Sequence, residues 1–365
     1  MQLSVIILNY NVRYFLELCI QSVQEAIKDI DGEIIVVDNN SSDDSCAMVR
    51  EKFPQIKRIE NKENIGFSKG NNIGVAQAIG EYICILNPDT VVAENTFTKL
   101  IQFAKEKQNL GAIGCQLIDG SGKFLTESKR NIPVVKVAFQ KMIGNSKNYY
   151  ANHLQENEIG KIDILVGAFM FMKRSLYNQV QGFDEDYFMY GEDIDLSFKI
   201  IKAGFDNYYF GESKVIHFKG ESTLKDKTYA KRFYGAMQIF YKKHFKSNIF
   251  FDTVVWLGIQ FAQLFITVGS RETKKAKHYI IYSYEVGISF NSVFPFEVNH
   301  VNNVKDIKTN SEVIFDANTL SFKEIIDKIS FLQKNNTHTF KILPKNSNFI
   351  VGSNNSKHRG EILHF

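Results

Sequence analysis

Ile83-Cys84-Ile85-Leu86-Asn87-Pro88-Asp89-Thr90 is the stretch on which the reading of this chain turns. The apolar run Ile83–Leu86, closed by a turn signal, has the length and composition of a buried parallel strand. Pro88 has no N–H to give to a sheet ladder, so pairing should stop there and leave Asp89 just beyond the strand's carboxyl end. In open α/β sheets ligands bind at that edge. An acidic side chain there can hold a hard divalent cation against substrate phosphates. The competing reading makes Asp89 a cap for a helix starting near Glu94.

Working outward, strand and helix patterns alternate. A strand Leu3–Leu8 runs into Asn9-Tyr10-Asn11, and a helical pattern follows from about Val12 to Ile27, with Phe15, Leu18, Cys19, Ser22, Val23 and Ala26 on one face. The run Ile34–Val37 ends in Asp38-Asn39-Asn40-Ser41. A third run, Ile56–Ile59, leads to Asn61 and then Asn64-Ile65-Gly66-Phe67-Ser68-Lys69-Gly70-Asn71-Asn72, which opens a helix reaching about Ile79. Strands separated by helices of this length imply a parallel sheet with crossover connections, an α/β architecture of nucleotide-binding type. No strand is followed by G-x-G-x-x-G, so a nicotinamide or flavin dinucleotide is not supported. Each strand instead ends in side chains able to grip a nucleotide. Asp38 can accept paired hydrogen bonds from a base or ribose, Asn9 and Asn11 offer amides to the same group, and Asn64, Gly66, Asn71 and Asn72 form a glycine-relieved turn suited to anionic oxygens. Singly, such residues are usually turn formers. Their recurrence at successive strand ends favours a binding edge.

The composition sets limits. At 365 residues, 44% hydrophobic and 23% charged, the chain has the make-up of a folded globular protein with room for a large domain and a smaller one. A net charge of +4 gives no general case for nucleic acid. Cys19, Cys46, Cys84 and Cys115 are scattered, which suggests neither a zinc site nor a disulfide framework and fits a reducing cytoplasm. The opening Met1-Gln2-Leu3-Ser4-Val5-Ile6 reads as a strand rather than a signal peptide.

Downstream, a strand from about Gly111 to Gln116 meets a hairpin signal, Asp119-Gly120-Ser121-Gly122. Residues 129–160 show no clear period and read as a mobile loop of acceptor-binding or lid type. Ile162–Met172 reads as one apolar strand, with Gly167-Ala168 where backbone can approach a ligand. Glu192 and Asp193 open a helix carrying Ile194, Phe198 and Ile201; carboxylates there either favour the helix dipole or do chemistry. His217 closes the strand-like Lys214–Ile216, where it is either a structural hydrogen-bonded residue or a ligand.

The ordered set I-L-N-Y-N, V-V-D-N-N-S-S-D, N-x-G-F-x-x-G-N-N-x-G, L-N-P-D-T, G-E-D-x-D-L-x-x-K and H-x-x-G-x-S resembles family 2 glycosyltransferases of the GT-A fold, most of all their rhamnosyltransferase-like branch. The resemblance covers roughly residues 1–245. It implies a mixed nucleotide-diphospho-sugar-transferase sheet flanked by helices, and an inverting transfer from a nucleoside-diphosphate donor (dTDP-rhamnose or a UDP-sugar) to a glycan or lipid-linked hydroxyl in cell-surface polysaccharide synthesis. It places Asp38 on the base, Asn9, Asn11, Asn64, Gly66, Asn71 and Asn87 around the donor, and the family's D-x-D metal motif on Asn87-Pro88-Asp89, of which only Asp89 is acidic. It makes Asp193 the general base beside Glu192, and lets His217 complete a Mg2+ or Mn2+ site with Asp89. Lys69, where the family usually has a small residue, either assists the diphosphate or faces solvent.

On this reading residues 1–222 form the catalytic domain, 223–278 a helical region, and 279–365 a small α/β module that docks beside the enzyme or pairs with another subunit. Tyr229, Phe233, Met237, Phe240, Tyr241 and His244 make a helical stripe flanked by lysines and arginine. Thr253–Ser270 carries no charge, contains Trp256 and is followed by Arg271, Lys274, Lys275 and Lys277. It reads as a packed helix, an interfacial helix or a span, so peripheral contact with the inner face of the cytoplasmic membrane is expected alongside a homo-oligomer. Two rival functions share such a sheet. A sugar nucleotidyltransferase would need a basic, glycine-rich loop after the first strand, which Asn9-Tyr10-Asn11 is not; a non-catalytic scaffold would have no need of Asp38, Asp89, Asp193 and His217 together.

Overall fold

The structure, a computed structural model, describes residues 1–142, 144–220, 227–245, 276–285, 297–335, 337–356 and 359–365. The uncharged stretch Thr253–Ser270 and most of the basic cluster after it lie outside the described residues.

Strands β1 (Leu3–Asn9), β2 (Gly32–Asp38), β3 (Lys57–Glu60) and β4 (Tyr82–Leu86) pair in parallel in the order β3-β2-β1-β4. The sheet continues through β8 (Phe169–Lys173), antiparallel to β4, then β6 (Leu110–Ile118), β9 (Asp206–His217) and β5 (Thr90–Val92), with β7 (Ile159–Lys161) against β9. This is the mixed sheet the resemblance implied. Helices α1 (Arg13–Ala26), α2 (Ser45–Lys52), α3 (Phe67–Ala76), α4 (Thr96–Lys105), α5 (Val135–Met142), α6 (Arg174–Gln179), α7 (Glu192–Lys202) and α8 (Lys227–His244) flank it.

Two buried clusters cover its faces. One joins Val5, Ile7, Cys84 and Leu86 to Leu16, Cys19, Ile20 and Phe97; the other joins Ile6, Leu8, Ile83 and Ile85 to Val75, Leu196 and Ile200. With both faces covered, Val5–Leu8 of β1, Ile34–Val37 of β2 and Ile83–Leu86 of β4 are continuous apolar runs, as is usual for buried parallel strands. Helix α3 lies flush on β1 because two of its positions are glycine: a Cβ at Gly70 would fall 2.4 Å from Leu8, and one at Gly74 2.5 Å from Ile6.

The expectation for Ile162–Met172 needs correction. Only Phe169–Lys173 is strand, and 162–168 cross the floor of a cleft as buried loop, apolar for burial rather than for pairing. Helix α8 carries the predicted aromatic stripe, whose Met237, Phe240 and Tyr241 pack with Tyr187 and Ile194.

Residues 278–364 form a second sheet. Strands β11 (Val298–Val301), β10 (His278–Tyr282), β12 (Ser311–Asp316) and β13 (Thr339–Leu343) run parallel, and β14 (Phe349–Gly352) and β15 (Glu361–His364) add antiparallel. Helix α9 (Phe322–Leu332) begins in a capping box between Ser321 and Glu324. Its apolar face is buried together with Phe15 and Leu18 of α1 and Val91 and Ile216 of the first sheet. The two sheets therefore share a core.

Candidate active site

The carboxyl ends of β1, β2 and β4, the segment after β9 and the start of α7 converge on one cleft of about 360 Å3. Leu8, Asn39, Asn64, Gly66, Asn87, Asp89, Glu127, Arg130, Tyr149, Glu192, Asp193 and His217 are among its lining residues.

Asp89 caps no helix: α4 is preceded by Asn95, and the Asp89 side chain faces His217 instead, with 3.4 Å between Asp89 Oδ1 and His217 Nε2. Strand pairing sets this up, because Thr90 of β5 is in register with His217 of β9 and the Phe218 N–H donates to the Asp89 carbonyl at 3.0 Å. The Asn87 amide lies 3.4 Å from the same imidazole nitrogen. Both side chains are buried, and His217 Nδ1 has no hydrogen-bond partner among the described residues. A carboxylate oxygen and an imidazole nitrogen this close suit a cation whose remaining ligands are substrate oxygens and water. No cluster of three or more metal-binding side chains occurs among the described residues, so the residues present fit a substrate-completed site rather than a closed protein cage.

The residues at the ends of β1 and β2 are held as a web. Asp38 accepts from the Asn9 amide at 2.7 Å and from the Ser41 N–H and hydroxyl at 2.8 and 2.6 Å. Asn11, in the left-handed region at φ 55°, receives the Ser42 N–H at 2.7 Å. Asn9, Asn11 and Asp38 stand behind the cleft lining rather than in it. The buried Asp38 charge, after burial itself, pushes the nearby Cys46 thiol up to about 12. Asn64 accepts the Gly66 N–H at 3.1 Å, and Asn39 donates to the Gly66 carbonyl at 3.0 Å. Gly66 sits at φ 87°, and a Cβ there would lie 2.5 Å from the Phe188 carbonyl oxygen, so glycine is required twice over. Asn71 turns its amide to the Phe67 carbonyl of its own helix and does not reach the cleft. Lys69 is exposed and outside the cleft, which settles it as a solvent-facing residue.

Gly191 at φ 79° starts α7, and Glu192 and Asp193 line the cleft. Asp193 Oδ2 accepts from Arg130 at 2.6 Å and from the Gly167 N–H at 3.1 Å, while Oδ1 accepts from Ile194 N–H at 2.8 Å. Burial opposes the Arg130 charge, but the Asp193 and Tyr149 partners outweigh it and raise its affinity for the proton. Glu192 has a buried Oε2 with no partner among the described residues. Burial first, and then the Asp193 charge, push its carboxyl up to about 8. Asp195 faces away from the cleft, to His244 at 2.6 Å.

Sequence reasoning missed Arg130, Glu127 and Lys219. Glu127 and Lys219 form an ion pair on the cleft wall, and although burial favours the neutral acid, Lys219 holds the Glu127 carboxyl below its usual range. The segment 129–160, expected as a mobile loop, bridges Arg130 to both Tyr150 and Ile164 and delivers the guanidinium to Asp193. Two adjacent basic residues in an aperiodic stretch, Lys129-Arg130, were the available signal.

A family model described as glycosyl transferase family 2 matches residues 4–181. The chain is 25% identical over 211 residues to the N-acetylglucosaminyl-diphospho-decaprenol L-rhamnosyltransferase of Mycobacterium tuberculosis, covering 53% of this chain and 68% of the relative. It is 31% identical over 163 residues to the rhamnosyltransferase WbbL of Escherichia coli K12, covering 42% of this chain and 61% of that relative. Among solved structures, the mannosyltransferase PcManGT of Pyrobaculum calidifontis, determined with GDP-Man and Mn2+, aligns over 72% of each chain at 19% identity and a TM-score of 0.49. By the family match, residues 4–181 are similar to glycosyl transferase family 2.

Proposed function

We propose that the protein is an inverting, divalent-cation-assisted glycosyltransferase acting on a nucleoside-diphosphate sugar, with rhamnose as the first donor to test and a lipid-linked or glycan hydroxyl as acceptor. The observation that carries this reading is that the Asp89–His217 pair, Glu192, Asp193 and the strand-end residues line one and the same cleft. Cell-surface glycan synthesis and a lipid-linked acceptor follow from the names of the relatives. Among the described residues no helix is long and apolar enough to cross a membrane, and peripheral contact on the cytoplasmic face is proposed from the basic sequence flanking Thr253–Ser270. Residues 1–222 are taken as the catalytic domain and 279–365 as an accessory module.

In this reading Asn64, Gly66 and the start of α3 receive the nucleotide side of the donor, and Asp89 and His217 hold the cation. When bound, that cation neutralises charge building on the departing diphosphate. Asp193 takes the acceptor hydroxyl's proton as its oxygen attacks the anomeric carbon from the face opposite the leaving group. The bond from that carbon to the diphosphate oxygen breaks, and the nucleoside diphosphate leaves with the electron pair. Arg130 and the Gly167 N–H hold Oδ2 of the Asp193 carboxylate, and Oδ1, which accepts from the Ile194 N–H, keeps a second lone pair for the proton. The unpaired, largely protonated Glu192 keeps a second negative charge out of the site at neutral pH. A screen of nucleoside-diphosphate release across dTDP-rhamnose and UDP- and GDP-sugars, with and without Mn2+, tests the reading; no release from any donor under either condition refutes it.

A further inference from the structure

The cleft has a lining residue from far outside the catalytic domain: Ser356, in the loop that follows β14 of the carboxyl-terminal sheet. We infer that the carboxyl-terminal module forms part of the acceptor-binding wall, its loop Ser353–Ser356 meeting the acceptor's sugar. The assignment rests on the transferase reading above and goes beyond it, because nothing in that chemistry requires this module.

The loop is seated by contacts that leave it little freedom. A Cβ on Gly120, in the hairpin after β6, would lie 2.3 Å from the Ser353 carbonyl oxygen and 2.9 Å from Phe218. Glycine therefore lets the module's loop press against this hairpin, which itself packs beside Phe218, the neighbour of His217. Behind it the module is clamped at three points. Glu94, just past β5, accepts the Phe322 and Lys323 N–H groups at 2.6 and 2.8 Å, closing the start of α9. Gln21 and Lys345 exchange two hydrogen bonds, at 3.0 and 2.8 Å. Tyr14 meets Phe349 edge-on at 4.8 Å. Together with the shared core, these contacts tie the module to the edge of the catalytic sheet rather than leaving it to swing on its tether.

The chemistry of this part of the wall suits a sugar. In the reading above the strand ends up to Asn87 take the nucleotide, which leaves Ser356, Tyr150, Tyr190 and Phe233 of the same lining for sugar; the last two lie 6.3 Å apart, edge-on. Aromatic faces receive the apolar faces of a pyranose ring, and a hydroxyl in the same cleft serves its O–H groups as donor or acceptor. An uncharged polyhydroxylated acceptor is the matching ligand class.

The test uses the full chain with octyl β-glycosides of glucose, galactose and N-acetylglucosamine as acceptor probes, and calorimetry with nucleoside diphosphate plus Mn2+ for the donor side. Ser356→Trp is expected to raise the KM of the accepted glycoside at least tenfold while the nucleoside-diphosphate Kd moves less than twofold. Ser356→Ala, which adds no bulk, is expected to raise that KM about threefold, the loss of one hydrogen bond. An unchanged acceptor KM in both variants overturns the assignment. So does a parallel rise in the nucleoside-diphosphate Kd, which would give the loop to the donor. Failure of the unaltered protein to bind any nucleoside diphosphate would instead sink the transferase reading beneath it.

Discussion

Arg130 Nη2 lies 2.6 Å from Asp193 Oδ2, joining an aperiodic connection to the first turn of α7. Both groups are buried, and the guanidinium also donates to the Leu165 carbonyl. Removing one partner of such a pair leaves the other charge uncompensated, which typically costs about 3–5 kcal/mol. Arg130→Leu should therefore lower stability by that order in denaturant unfolding. Arg130→Lys should fold better yet lose transfer rate, because the shorter side chain cannot bring its ammonium to the place from which Nη2 donates to Asp193 and Leu165 together. Wild-type stability in Arg130→Leu would show that the pair contributes nothing.

Asp193→Asn keeps shape but removes the proton acceptor. A positioned base is worth roughly 10²–10⁴-fold, so kcat should fall by at least about 10² while nucleoside-diphosphate affinity stays near the unaltered value. Near-normal turnover would move the base elsewhere.

Asp89→Asn and His217→Ala probe the cation site. Outer-shell changes at metal sites typically cost about 10–100-fold in affinity, and loss of a direct ligand should reach or exceed that. The Mn2+-dependent part of nucleoside-diphosphate binding, read by calorimetry, should fall by at least about tenfold in each variant. Binding without Mn2+ should change little. An unaltered Mn2+ dependence in both would place the cation away from β4 and β9.

Glu192 supplies a pH signature. Its carboxyl is shifted from 4.5 to about 8 by burial and by the Asp193 charge. Between those values the folded chain keeps a proton that the unfolded chain releases, so this group makes stability fall as pH rises through that window. Glu192→Gln cannot ionise and lacks the penalty. Its Tm should match the unaltered protein near pH 4.5, exceed it increasingly toward pH 8 and then level off. A Tm difference that does not vary with pH would mean that Glu192 is ionised in the folded protein throughout.

Glu94→Ala removes the acceptor that closes the start of α9. Losing a helix-terminal acceptor costs about 1 kcal/mol, and a lowered unfolding midpoint together with faster proteolysis in residues 279–365 is the expected outcome. No change in either would show the Glu94 contact to be idle.

How much of this was legible beforehand follows from the range of the interactions. Local patterning determined the strands β1, β2 and β4 and the helices α1, α3 and α7, because apolar period, turn residues and caps act within a few positions. The ordered motifs also carried the resemblance to family 2 glycosyltransferases, and put Asp89, Asp193 and His217 at element ends. The tertiary structure decided what those residues touch. Asp89 meets His217 because β5 and β9 pair across more than a hundred residues of chain, a register no local pattern encodes. Asp193 meets Arg130 because the aperiodic 129–160 segment is bridged to Ile164. Ile162–Met172 reads as one strand because burial selects apolar side chains whether or not the backbone pairs, and only the tertiary structure shows that Val166, Gly167 and Ala168 line the cleft instead. Ser356 reaches the cleft for the same reason: two sheets distant in sequence bury one shared core, and that packing alone brings the far end of the chain to the site.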